Sequence, residues 1–142
     1  MPVVLLNTLR LLRPHQWAKN LLVLVAVLTA HRYADAVAWR AAAAMFVAFC
    51  LAASAIYVVN DAADVAADRR HPDKSKRPFA SGALSPRLAF VIAPLLGLVA
   101  ALVALPLPPP AVWSLALYGV LSLAYTFVLK RVLWLDVLVL AA

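Results

Sequence analysis

Asn60, Asp61, Asp64 and Asp68 open the stretch NDAADVAADRRHPDKSKRPFASG, residues 60–82. On a helix the three aspartates, at i, i+3 and i+7, fall on one face. Three like charges on one stripe repel each other unless a cation sits among them. Carboxylates with an amide oxygen suit a hard ion such as Mg2+, which usually keeps several waters and is shared with substrate phosphates. The next residues supply the opposite charge: Arg69, Arg70, Lys74, Lys76 and Arg77, on a segment that Pro72 and Pro78 keep from being one continuous helix. Guanidinium groups bind phosphate oxygens in pairs and Lys binds as a point charge. Acid for a metal and base for phosphate are the requirements of a diphosphate site. A second arrangement satisfies the same charges, with the aspartates pairing to their basic neighbours at a solvated helix end, each pair contributing little. The order of the residues, acids first and the basic cluster after, favours the first reading.

The surrounding chain is written for lipid. Of its 142 residues 66% are hydrophobic and 13% charged, with no Glu, and mean hydropathy is +0.93. A soluble domain of this size cannot hide so much apolar surface. Crossing ~30 Å of hydrocarbon takes about 20 residues of helix, and three uncharged runs are long enough, 41–59, 88–107 and 111–129. A weaker run at 14–30 carries Lys19 near its start, and a fifth begins after 132. In lipid only helices and closed barrels satisfy every backbone group, and these runs are too long and too poorly alternating for barrel strands. The expected fold class is an all-α, polytopic transmembrane helical bundle.

Charge in the connections sets the expected orientation. Arg10, Arg13 and Lys19 precede or open the first run, six Lys and Arg lie from Arg69 to Arg87, and Lys130 with Arg131 follows the fourth run. The intervening connections hold only Arg32 and Arg40, and none near 106–110. The bias of basic residues toward the cytoplasm therefore puts the N-terminus and the 60–87 loop inside. The net charge of +7 is explained by this bias, so no nucleic acid is expected as a partner. The single Cys50 excludes an internal disulfide and any multi-cysteine metal site. No feature points to an oligomeric state.

The charged stretch closely resembles the first aspartate-rich motif, N-D-x-x-D-x-x-x-D, and the following K-x-x-R-P segment of the UbiA superfamily of intramembrane prenyltransferases. LRLLRPHQWAKN at 9–20 resembles that family's entry to its first span, and LAYTFVLKRVLWLDVLVLA at 123–141 its fourth-to-fifth span junction. The three stretches occur in the family's order and reach almost from end to end. Two further readings stand beside it: a non-catalytic membrane protein, either an inactive truncated relative or a transporter or structural protein whose basic loop binds anionic lipid and needs no aspartate stripe, and the CDP-alcohol phosphotransferases, which the residues disfavour. Their motif needs a Gly after the first aspartate and an Arg within the set, whereas Ala62 follows Asp61 and no Arg lies between Asp61 and Asp68.

The resemblance implies a Mg2+-dependent integral-membrane transferase that moves a polyprenyl group from its diphosphate to an acceptor. Asn60, Asp61, Asp64 and Asp68 would hold Mg2+ on the donor diphosphate, and Arg10, Lys74 and Arg77 would contact phosphate oxygens. Tyr125 and Lys130 would approach the same cavity from the fourth span, and Asp61, Asp64, Asp68 and Lys130 are the implied catalytic set. The implied partners are a polyprenyl phosphate or diphosphate lipid and the bilayer. The family has nine spans and a second aspartate-rich motif beyond the fifth, so these residues match its N-terminal half and are not expected to turn over alone. Two segments, RPHQWAKN and DRRHPDKSKRP, look more like the branch containing decaprenyl-phosphate phosphoribosyltransferases. In that branch polyprenyl phosphate is the acceptor and phosphoribosyl diphosphate the donor.

The lopsided basic charge generates a prediction about topology. A cysteine introduced at Ser75 is expected to react with a membrane-impermeant thiol reagent only from the cytoplasmic side, and one at Pro109 only from outside. The reverse labelling pattern would invert the bundle.

Overall fold

The structure, a computed structural model, describes residues 2–128, so Lys130 and the fifth run lie outside the described residues. Helix α1 (Pro2–Leu12) ends at Arg13, whose backbone is left-handed at φ 51°, ψ 57°. A 3-10 helix (Pro14–Leu21) then leads straight into α2 (Leu22–Thr29). Eight residues of 3-10 helix is a long run for a geometry that seldom exceeds four. At ~2.0 Å rise per residue, against ~1.5 Å in an α-helix, the two pieces together reach about 28 Å. The run at 14–30 thus nears the hydrocarbon thickness with fewer residues than a pure α-helix needs.

After a turn at 30–35 the chain enters α3 (Ala36–Ala63), the longest helix. Asp35 caps it: its carboxylate accepts hydrogen bonds from the Val37 N–H at 2.8 Å and the Ala38 N–H at 3.1 Å. These N–H groups would otherwise lack partners at a helix start. The Ala38 N–H, followed by the adjoining Arg32 guanidinium, holds the Asp35 carboxyl below the ordinary carboxylate range. A four-residue helix α4 (Val65–Asp68) follows, then a loop with single 3-10 turns at Lys74–Lys76 and Pro86–Leu88. Helices α5 (Ala89–Ala104) and α6 (Pro109–Phe127) complete the described residues.

Among the described residues three helices are long and apolar enough to cross a membrane, Ala36–Ala63, Pro86–Ala104 and Pro109–Phe127. They coincide with the three uncharged runs of the sequence. The protein is thus an all-α, multi-pass integral membrane protein. Its outer surface agrees, with Phe90 83% and Trp113 73% exposed, an arrangement suited to acyl chains rather than water.

Helix α3 is the hub, touching α1, the Pro14–Leu21 helix, α2, α5 and α6. Its largest contact, with α5, is made through small side chains. Ala48, Ala53 and Ala55 are buried on α3, and Ala89, Ala93, Ala100 and Ala104 on α5. In lipid, apolar burial does not itself drive helix association, so close backbone approach and dispersion must do so, and alanine permits both. Two clusters result. One gathers Met45, Ala48, Ala100, Ala104 and Leu115; the other gathers Leu11, Ala55, Val58, Phe79, Leu84, Ala89 and Ala93 beneath the charged loop. Pro94 lies inside α5 and removes one hydrogen-bond donor, which membrane helices tolerate.

Ala48 has 0% exposure, so added volume there has nowhere to go. Ala48→Leu is expected to lower stability by about 1–3 kcal/mol, read as a fall in the detergent unfolding midpoint. Leu98→Ala on the exposed face of α5 should change the midpoint little. Equal effects from the two would contradict the alanine-mediated packing.

Candidate functional site

The site is built around a corner at the end of α1. Arg13 is followed by Pro14, and its left-handed backbone turns the chain sharply. That conformation costs a residue other than Gly roughly 1–2 kcal/mol, so the Arg side chain must be held by something. Ser54, on α3 and 1% exposed, holds both flanks of the corner. Its Oγ donates to the Leu12 carbonyl at 2.7 Å and accepts from Trp17 Nε1 at 3.0 Å. One turn of α3 further from the corner, Asn20 Nδ2 donates to Cys50 Sγ at 3.4 Å. The sequence LRLLRPHQWAKN is therefore stitched to α3 along its length.

The corner presents Arg13 to Asp61. The Arg13 Nη2 lies 2.6 Å from Asp61 Oδ1, and its guanidinium carbon stands 4.9 Å from the centroid of the Tyr57 ring, one helical turn before Asp61. The same Asp61 oxygen accepts from Arg77 Nη1 at 3.2 Å, and that nitrogen also donates to Asp68 Oδ2 at 2.7 Å. Asp61 is 3% exposed and Asp68 4%. Two carboxylates and two guanidiniums form a chain of no net charge, the condition under which buried ions are tolerated. Removing one member would leave an unpaired buried charge, a loss of about 3–5 kcal/mol in fully enclosed sites and less here, because Arg77 is 26% exposed.

Arg77 reaches Asp61 because the loop behind it is packed. Phe79, two residues on, has 0% exposure and sits in the apolar cluster with Leu11 and Val58. The Ser81 N–H donates to the Arg77 carbonyl at 2.9 Å and the Leu84 N–H to the Pro78 carbonyl at 2.9 Å, closing the turn. Gly82 takes φ 80°, a conformation natural to glycine. Arg69 Nε donates to the Ala80 carbonyl at 3.2 Å, tying the loop back to the end of α4. The K-x-x-R-P segment is in effect an arginine mounted on a buried phenylalanine.

The expected aspartate stripe is interrupted. Helix α3 stops at Ala63, and Asp64 adopts φ −98°, ψ 5° at the junction with α4. The Asp64 N–H still donates to the Asn60 carbonyl at 3.0 Å and the Asp68 N–H to the Asp64 carbonyl at 2.8 Å, so the path stays nearly helical. Asp61 and Asp68 become buried while Asn60 and Asp64 remain half-buried. Of the other expected site residues, Arg10 is exposed in the last turn of α1 and Lys74 is exposed on its 3-10 turn. Tyr125 is half-buried near the end of α6, and Lys130 lies outside the described residues. The structure brings Asp61, Asp68 and Arg77 together and adds Arg13, with Tyr57 beside it. The resemblance put Arg10 at the phosphate, while Arg10 and Arg13 alike could be read as orienting charges; the sequence signal that separates them is Pro14, which disfavours continued α-helix at the residue before it.

These donors are hard oxygens of the kind that suits Mg2+, and so fit the ion chemically. As arranged, however, Asp61 Oδ1 and Asp68 Oδ2 are engaged by guanidiniums, and among the described residues no three His, Cys, Asp or Glu side chains converge on one point. A metal using those two oxygens would take them from Arg13 and Arg77. A cavity of about 500 Å3 lies between α3, α5 and α6 and reaches Val59, two residues before Asp61 on α3. Its lining, from Val59 and Phe90 past Gly97 to Leu115 and Leu123, is wholly apolar. An ionic end and an apolar chamber along one helix suit a molecule with a charged head and a hydrocarbon tail.

Comparison with known proteins agrees with this architecture. A family model described as the UbiA prenyltransferase family matches residues 21–142; the chain belongs to that family. Among similar proteins is a decaprenyl-phosphate phosphoribosyltransferase of Mycolicibacterium smegmatis, 41% identical over 140 residues, covering 94% of this chain and 43% of that protein. Another of the same name, from Mycobacterium tuberculosis, is 41% identical over 129 residues, covering 88% of this chain and 43% of that protein. A third, from Corynebacterium glutamicum, is 48% identical over 101 residues, covering 68% of this chain and 28% of that protein. The chain thus spans less than half the length of these curated relatives.

Ser54 tests how the corner is held. Ser54→Ala removes the acceptor of Trp17 and the donor to Leu12 at once, and is expected to cost about 1–3 kcal/mol in a detergent unfolding titration. Trp17 emission should shift in the folded variant as its indole N–H loses its partner. An unchanged midpoint and spectrum would show that Ser54 does not anchor the corner.

Proposed function

We propose that the protein to which these residues belong is an intramembrane transferase that moves a group from its diphosphate to an acceptor, one of the two substrates being a polyprenyl lipid, at a site on the cytoplasmic end of α3. The observation that carries this reading is the Arg13–Asp61–Arg77–Asp68 cluster next to the apolar chamber. It gathers anion-binding guanidiniums and metal-binding carboxylates where a lipid tail can lie alongside. Asn60, Asp61, Asp64 and Asp68 are the residues to hold Mg2+, with Arg77, Lys74 and Arg10 available to phosphate oxygens and Tyr125 and Lys130 contributed by the fourth span.

Bound there, Mg2+ would neutralise charge on the diphosphate as it departs. The chain's own part is to hold the diphosphate in line and keep water out. Arg77, its backbone anchored through Phe79, donates to phosphate oxygens once it turns from the carboxylates it bridges, and its charge then stabilises the departing diphosphate. The apolar lining near Val59 offers hydrocarbon rather than hydrogen-bonding groups beside the electrophilic carbon, which disfavours capture by water. In the step itself the carbon–oxygen bond to the diphosphate breaks, the leaving group keeps the electron pair, and the acceptor bonds to that carbon; an ionised phosphate oxygen has no proton to lose, whereas a ring carbon then releases its proton to the departed diphosphate or to water.

Two donor and acceptor pairs fit this chemistry. The broader reading is prenyl transfer from a polyprenyl diphosphate. The relatives' names support a narrower one, in which polyprenyl phosphate is the acceptor and phosphoribosyl diphosphate the donor. A surplus of cations, Arg69, Arg70 and Lys76 beyond those near Asp61, would serve a donor with an additional phosphate.

Membranes containing the full-length protein distinguish the two. Radiolabelled phosphoribosyl diphosphate offered with polyprenyl phosphate and Mg2+ is expected to give a lipid-extractable labelled product. Asp64→Asn should reduce that product by at least about 100-fold, the scale on which loss of one electrostatic contact acts in the transition state. A prenylated aromatic product from polyprenyl diphosphate would restore the broader reading, and label transfer persisting at the wild-type rate in EDTA would overturn the metal's part.

A further inference from the structure

The cluster described above carries an inference about the order in which its ligands arrive, one that rests on the proposed diphosphate site and deepens it. Arg13 and Arg77 meet on the same carboxylate oxygen, Asp61 Oδ1, at 2.6 and 3.2 Å. Arg77 spans to Asp68 Oδ2 at 2.7 Å. These oxygens are among those a hard cation would need. A metal arriving alone brings positive charge beside both guanidiniums, and taking these oxygens displaces a guanidinium and strips that cation of its counter-ion, which is costly beside buried carboxylates. A diphosphate arriving alone meets guanidiniums already occupied by carboxylates.

Both obstacles vanish when metal and diphosphate arrive together. The metal takes the carboxylates, the phosphate oxygens take the guanidiniums, and every charge keeps a partner. We infer that Arg13 and Arg77 are exchangeable counter-ions of Asp61 and Asp68, and that the site consequently takes divalent metal and diphosphate cooperatively rather than metal first.

The backbone at Arg13 argues for exchange rather than a fixed structural pair. A residue whose only task was to end α1 before Pro14 would be glycine, which accepts φ 51° freely. Arginine is present despite the cost of the left-handed conformation, so its side chain matters. That side chain has a second resting place, because Tyr57 lies under the guanidinium at 4.9 Å. An aromatic face holds a cation near the site whether or not the carboxylate is available. Arg13 is also 19% exposed, so it can leave Asp61 without crossing a packed core. Arg77 swings from a different anchor, Phe79, and needs only to rotate off the two carboxylates it bridges.

The test reads metal binding, not turnover. Mn2+ binding to the full-length protein in lipid nanodiscs is followed by electron paramagnetic resonance, with and without inorganic pyrophosphate, and the solution chelate is subtracted using a protein-free titration. In the wild type, pyrophosphate is expected to tighten Mn2+ binding by about tenfold or more, within the usual range of coupling between sites, and Mn2+ must tighten pyrophosphate by the same factor. Arg13→Gly keeps the left-handed backbone at ease and removes only the guanidinium. In that variant Mn2+ alone should bind more tightly than in the wild type and the coupling factor should fall, a gain that a merely structural defect would not produce. Arg13→Lys, retaining a cation, should keep most of the coupling.

Equal Mn2+ affinity with and without pyrophosphate in the wild type would overturn the exchange while leaving the diphosphate site standing. Weaker Mn2+ binding in Arg13→Gly would overturn it as well, by showing that Arg13 supports the metal. Absence of both Mn2+ and pyrophosphate binding at millimolar concentration would overturn the exchange and the proposed site together.

Discussion

A buried carboxylate in a membrane protein cannot stand alone, and Asp61 is the point on which the rest of this structure turns. At 3% exposure its charge has lost most of its water, so partners must be brought to it from elsewhere in the chain. Arg13 comes from 48 residues away and Arg77 from 16. Each needs its own support. Arg13 needs a left-handed corner, the proline after it and the Ser54 hydrogen bonds to both flanks; Arg77 needs Phe79 seated in the apolar cluster. The ends of three sequence segments are thereby fixed to one oxygen atom. Charge pairs of this kind add little stability compared with a well-packed apolar alternative, which is a reason to look to function for their presence.

The apolar part of the molecule serves that arrangement by being narrow. Alanine at the α3–α5 contact brings two backbones close together, so the loop joining α4 to α5 must fold back over a small area. That fold places Phe79 and Leu84 against Leu11 and Val58, directly under the charged cluster. Larger residues at Ala89 or Ala93 would push α5 away and lift Phe79 with it. The position of Arg77 is therefore set by helix packing some distance along the membrane, not by local loop preference alone. The same spacing leaves a cavity between α3, α5 and α6 whose lining is apolar, because the small side chains that admit close approach at one face leave room at the next.

Much of this was legible in the sequence and some was not, for physical reasons. Uncharged runs at 41–59, 88–107 and 111–129 became long apolar helices because lipid leaves backbone groups no alternative to internal hydrogen bonding. The first run was harder, since a long 3-10 segment has no compositional signature separating it from α-helix, and Lys19 interrupts the apolar pattern. The charged loop disclosed its ingredients but not its pairing. Periodicity put three aspartates on one face, yet a helix that ends at Ala63 turns Asp64 away from full burial while Asp61 and Asp68 sink in. Arg10 and Arg13 are indistinguishable by composition; Pro14 marks where α1 ends, but the left-handed turn at Arg13 and the Ser54 hydrogen bonds on its flanks, which let it reach Asp61, are tertiary features.

The two arrangements read from the charged stretch, metal among carboxylates and carboxylates paired with bases, need not exclude each other. The structure contains the second, and the donor chemistry admits the first. A site that must bind and then release a multiply charged ligand gains from having both. Were the carboxylates unpaired while the site waits, their mutual repulsion would spread α4 away from α3. Were the guanidiniums unpaired, they would draw any passing phosphate. With the four groups satisfying one another the resting site has no net charge, retains its shape and presents little attraction to a single ion. The residues that look like a structural ion-pair chain are then the same ones that chemistry would use, and the difference between the two states lies only in which oppositely charged group each one faces.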